Sequence, residues 1–195
     1  YGVYRQRPAT PFAGFALISL AFTAMLALCQ KGAPAEAMNG MFIVNGFTLF
    51  AKCLILIAAM LALALSSDCL RERGRPFEFV ILLMLSVVGM LCMVSANDLL
   101  ALYMALEMSS LALYVLAAFS RDHAKSSEAG LKYFTLGALA SGMMLFGMSL
   151  IYGFTGTTGF EPLAQFFAAG DGASKGVLVG LVLIMVGFCF KISAV

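Results

Sequence analysis

The sequence predicts an all-α membrane protein, a polytopic helix bundle, and three observations carry that prediction. Of the 195 residues, 62% are hydrophobic and 11% charged, with a mean hydropathy of +0.99, a balance that polar surface could not cover in water. The apolar residues gather into six runs, each too long for a strand. The cations between them are sorted: Arg5, Arg7, Arg71, Arg73, Arg75, Arg121 and Lys125 fall on one set of alternate loops, and only Lys31 and Lys175 on the other. By the positive-inside rule the first set is cytoplasmic, so residue 1 starts inside. The lipid bilayer is thus the first expected partner, and no nucleic acid is expected.

Taken in order, the runs cover residues 12–29, 42–66, 79–96, 99–119, about 124–154, and 175 to the end. The first, preceded by Arg5 and Arg7 and followed by Ala33, Pro34 and Ala35, has the outline of a signal peptide. About 18 apolar residues is long for that and sufficient for a span, so a membrane helix is the preferred reading. The fourth helix is expected to enter from outside with Asp98 as N-cap and to leave at Arg121, whose charge suits a helix C-terminus. The fifth exceeds the ~30 Å hydrocarbon core, so it must tilt or protrude. Within it, Ala138 and Gly142 permit a close helix contact. The Gly-Thr-Thr-Gly and Gly-Asp-Gly stretches within residues 155–174 are read as turns, since no lysine-serine pair opens a helix after them as a phosphate cradle requires. The five cysteines form no CxxC pair and are read as small apolar fillers, so no metal or redox centre is expected. A start at Tyr1 and a stop inside an apolar run imply a piece of a longer protein.

The candidate chemistry centres on Glu107, a single carboxylate in the fourth helix. It lies nine residues beyond Asp98, roughly 13 Å along the axis and therefore near the middle of the membrane. Insertion there costs about 3 kcal/mol, and intramembrane acids usually face a bundle interior and serve ion movement. Steps of three and four residues put Tyr103, Glu107, Ser110 and Tyr114 on one face. That stripe suits a hydrated proton path, or alternatively a polar seam between helices. Two lysines could set the charge of Glu107. Lys132 lies one to two turns into the fifth helix, where it either acts on the acid or snorkels to the headgroups. Lys191 recurs on one face with Gly176, Gly180 and Gly187, a bare face that admits another backbone or water, or serves packing alone. Lys52, near the outer end of the second span, is expected to snorkel.

Three stretches, NDLLALYMALEMSSLALYVLAAF, SSEAGLKYFTLGALASGMMLFGMSLIYGFTGTTGF and VGFCFKISAV, in that order and spacing, make the chain resemble subunit N of the proton-pumping NADH:quinone oxidoreductase, respiratory complex I, in the antiporter-like membrane subunit family. The resemblance implies part of an antiporter-like fold of fourteen helices, with two inverted five-helix repeats and a broken helix at each centre. This chain would hold helices two to seven: residues 1–76 as N-terminal peripheral helices, and residues 77–195 as the first repeat, incomplete at its C-terminal end. It implies proton translocation through Glu107, Lys132 and Lys191, with Tyr103, Ser110 and Tyr114 as a supporting polar path. No cofactor is implied in this chain; NADH, FMN, iron-sulfur clusters and quinone would lie on partner subunits. The partners implied are the other membrane subunits of complex I, including sibling antiporter-like subunits. The implied location is a bacterial inner membrane, or the mitochondrial inner membrane for a eukaryotic source. A subunit of a multisubunit sodium/proton antiporter, or a purely structural membrane subunit, are the alternatives.

Overall fold

The computed structural model describes residues 10–29, 35–66, 76–120, 122–169 and 174–192. The arginines that set the expected orientation, Lys31, the Ala33-Pro34 pair, Cys69 and the Gly-Asp-Gly stretch lie outside the described residues. Those described form α1 (Thr10–Cys29), β1 (Ala35–Ala37), β2 (Phe42–Val44), α2 (Gly46–Leu65), α3 (Pro76–Ser95), α4 (Leu99–Ala117), α5 (Ala124–Thr155), α6 (Phe160–Ala168) and α7 (Lys175–Lys191). Helices α1 to α5 are long and apolar enough to cross a membrane. The described part of α7, 17 residues, is roughly 25 Å long and packs along α5.

Two elements depart from the sequence reading. Residues 42–44, taken there as the start of the second span, instead pair antiparallel with residues 35–37 around the Asn39-Gly40 turn. The span begins at Gly46, where Asn45 and Thr48 close a reciprocal capping box. The Thr155–Ser174 connection, read as turns alone, carries α6. Its Pro162 sits in the first helical turn, where a missing N–H costs nothing. Nine residues are far too few to span. Instead, Leu163 and Phe167 bury one side of α6 against a cluster containing Leu99, Met148 and Ile151, while Glu161 and Gln165 stay exposed.

Packing runs along the chain. Helices α1, α2 and α3 share a core around Leu20, Leu56, Leu63 and Val87. Helix α4 packs on α3, where Ser86 and Ser109 hydroxyls meet at 3.2 Å, and then on α5. The α5–α7 contact is a backbone approach: a Cβ on Gly147 would sit 2.6 Å from the carbonyl oxygen of Gly180, and one on Gly180 2.9 Å from that of Gly147. In lipid, where burial of apolar surface gives helices no drive to associate, such close approach supplies the van der Waals attraction. The Gly176–Gly180–Gly187 face is thus used for packing. Ala138 is exposed and Gly142 has open space, so the close contact expected there is not made among the described residues.

The Asn97-Asp98 turn ties one end of the bundle together. Asp98 Oδ1 accepts from the backbone N–H groups of Leu100 (2.7 Å) and Ala101 (3.3 Å), which is the expected N-cap. Its other oxygen accepts from the hydroxyl of Thr158, just ahead of α6, while Asn97 donates to the Gly40 carbonyl of the hairpin at 3.1 Å. Asp98 is 7% exposed, so its loss strands several donors together. Asp98→Ala is expected to lower stability by about 2 kcal/mol. The check is a lower unfolding midpoint in detergent, together with faster proteolysis around α6.

Candidate proton-transfer site

Five side chains from three helices converge inside the bundle. Glu107 projects from the middle of α4, and Lys191 from the last turn of α7, where the helix dipole favours a cation. Lys191 Nζ lies 3.2 Å from Glu107 Oε1, 2.7 Å from Ser110 Oγ and 3.2 Å from Tyr114 Oη. An ammonium has three N–H donors, and these three acceptors use them all. From α5, the Ser141 hydroxyl donates to the same Glu107 oxygen. The side chains of Lys191 and Glu107 are 11% and 21% exposed, so the pair is largely withdrawn from its surroundings.

Tyr114 is held by two aromatic rings, the lysine and a glycine notch. Its ring meets Tyr133 edge-on at 4.6 Å and Phe134 at 5.8 Å, and it lies 5.7 Å from the lysine nitrogen. Its hydroxyl fits into a notch at Gly137, where an added Cβ would stand 2.1 Å from Oη. Tyr114 also lines a cavity of about 770 Å³ between α3, α4 and α5, together with Glu78, Phe119, Ser127 and Phe134 among others.

Of the residues singled out in the sequence, Glu107, Ser110, Tyr114 and Lys191 are brought together. Tyr103 shares their face of α4 but is half-buried against the Met144–Met148 cluster, and its hydroxyl makes no hydrogen bond among the described residues. Lys132 lies elsewhere: it pairs with Glu128 one turn earlier on α5, with the side chains 70% and 62% exposed. Ser141 was visible in the sequence only as a small polar residue one turn beyond Gly137; that it serves Glu107 depends on how α5 is rotated against α4, which no sequence spacing states.

Fold and site together define an antiporter-like, polytopic membrane helix bundle with an ion pair at its centre. The chain belongs to the NADH:quinone oxidoreductase/Mrp antiporter family, whose transmembrane model matches residues 96–195. It is 52% identical over 199 residues to NADH-quinone oxidoreductase subunit N of Rhodospirillum rubrum, and 48% identical over 197 residues to that of Parvibaculum lavamentivorans. In both, all of this chain is covered, and it spans 41% of the relative's length. It is also similar to a chain of respiratory complex I from Thermus thermophilus with bound aureothin, with a TM-score of 0.77 and 32% identity over 97% of this chain and 40% of that one. A chain of an archaeal membrane-bound sulfane sulfur reductase shares the fold at a TM-score of 0.78 and 24% identity, over 91% of this chain and 38% of that one. The resemblance read from the three sequence stretches therefore holds.

Proposed function

We propose that this chain is a proton-translocating membrane subunit, subunit N, of an NADH:quinone oxidoreductase in a bacterial inner membrane. It would work beside sibling antiporter-like subunits, while NADH, FMN, iron-sulfur clusters and quinone act on other chains. In this reading residues 77–195 belong to an inverted five-helix repeat whose broken helix carries Lys191 at its break, and residues 1–76 flank it. The observation that carries the proposal is the Lys191 ammonium held by Glu107, Ser110 and Tyr114 at once.

That geometry makes a switch. At 3.2 Å and an effective dielectric constant near 20, the pair attracts by roughly 5 kcal/mol. When the ammonium withdraws, the pair opens, and that opening is the step at which a proton would pass between the polar groups around Glu107 and Lys191. Ser110 and Tyr114 offer the ammonium acceptors as it leaves, and Ser141 keeps a donor on the carboxylate. The cavity that Tyr114 lines lies toward the end of the bundle where α4 and α5 connect, and in this reading it would be the access route on that side. Moving one charge through 100 mV takes about 2.3 kcal/mol, so opening and closing this pair is large enough to work against a membrane potential.

Glu107→Gln in the fully assembled enzyme tests the assignment. Proton translocation per NADH oxidised is expected to fall several-fold, and Lys132→Met, remote from the pair, to reduce it less. Unchanged translocation at normal assembly would reject it. The family also embraces Mrp antiporters; sodium/proton exchange by the protein in vesicles lacking NADH and quinone would favour that second reading.

A further inference from the structure

A second polar site lies away from the ion pair, at the end of the bundle that holds the hairpin. Helices α1, α2 and α3 and strand β2 enclose a cavity of about 460 Å³ whose lining includes Thr23, Leu26, Lys52, Val88 and Ser95. Two of these groups are chemically incomplete. Ser95 is 5% exposed, and its hydroxyl has no hydrogen-bond partner, the one such buried side chain among the described residues. Lys52 makes no ion pair or hydrogen bond among the described residues, although it lies seven residues past the Asn45 cap, roughly 10 Å into a membrane helix. An unpaired cation at that depth is costly and marks a binding site or an ion path. Buried hydroxyls are nearly always bonded, so Ser95 marks the same spot independently.

The lining also limits what can fill the space. It contains no carboxylate, so a cationic group would meet only Lys52. The mouth is apolar, with Leu26 51% and Val88 44% exposed. We propose that this cavity holds the phosphate of an anionic phospholipid. The phosphate oxygens accept from the Lys52 ammonium and the Ser95 hydroxyl, and an acyl chain leaves past Leu26 and Val88. A zwitterionic lipid would bring its amine toward the one cation present, with no acid to receive it. The stem of Lys52 is long enough to follow the headgroup toward the surface.

The test is bound lipid counted by native mass spectrometry on the intact complex, purified in mild detergent and titrated with phosphatidylglycerol. Lys52→Met is expected to lose one tightly bound phosphatidylglycerol, with at least a five-fold weaker affinity at that site. Lys52→Arg should keep it and Ser95→Ala should fall between, while phosphatidylcholine and inorganic phosphate should fail to displace it. Equal phosphatidylglycerol occupancy in wild type and Lys52→Met overturns the proposal. So does displacement by inorganic phosphate, which would mark a free-anion site, or equal competition by phosphatidylcholine.

Discussion

Lys191→Met is expected to abolish proton translocation and to destabilise the protein by about 3 kcal/mol, because it strands the carboxylate of Glu107 in a site built for a pair. Ser141 still donates to that carboxylate, but Ser110 and Tyr114 lose the ammonium they accept from. The decisive comparison is the double variant Glu107→Gln/Lys191→Met. Replacing both members of a buried pair is often neutral or stabilising, whereas removing one is costly. The double variant should therefore recover most of the unfolding midpoint lost in Lys191→Met while translocation stays absent. A purely structural role predicts otherwise: Lys191→Met loses stability in the same way, but it and the double variant still translocate protons wherever they assemble. Unfolding in detergent and proton uptake by reconstituted vesicles separate the two.

Much of this arrangement was legible in the sequence, for identifiable reasons. Asp98 as the cap of α4, and Glu107 with Ser110 and Tyr114 on one face, follow from helical periodicity and a capping residue, both local properties. The glycine face carrying Lys191 was legible as a place of close approach; that it meets Gly147 of α5 was not, because pairing two helices requires knowing which turn lies against which. The choice between Lys132 and Lys191 as neighbour of Glu107 has the same origin. Spacing gives depth along each helix, and rotation about the axis decides the partner. The hairpin carried a signal in Asn39-Gly40, a dipeptide suited to left-handed backbone, but its second three-residue strand merges into the apolar run that follows. Helix α6 was hidden differently. Glycines precede and follow it and a proline stands inside it, so a nine-residue amphipathic helix reads as a string of turns.

The notch at Gly137 gives the second large effect. Gly137→Ala adds one methyl group where Tyr114 Oη now lies, 2.1 Å from the new Cβ. An ordinary contact needs well over 3 Å, so the hydroxyl must retreat by more than 1 Å. The ring cannot swing freely, because Tyr133 and Phe134 pack against it edge-on. Its hydrogen bond with Lys191 is therefore lost, and the ammonium has one donor without an acceptor in a site that is 11% exposed at the lysine. Translocation is expected to fall about ten-fold, the rate equivalent of one lost charge-assisted hydrogen bond of ~1.4 kcal/mol. Alanine is otherwise the better helix former, by about 1 kcal/mol over glycine, so secondary structure and assembly should survive. Tyr114→Phe removes the hydroxyl and leaves the ring, and it should reproduce the translocation defect. In the combination Gly137→Ala/Tyr114→Phe translocation should be no lower than in either alone, because both changes remove the same hydrogen bond; the ring still has to shift there, since its Cζ and Cε1 lie 2.6 and 2.9 Å from the added Cβ. Additive losses would mean that Gly137 serves helix packing rather than the placement of Tyr114.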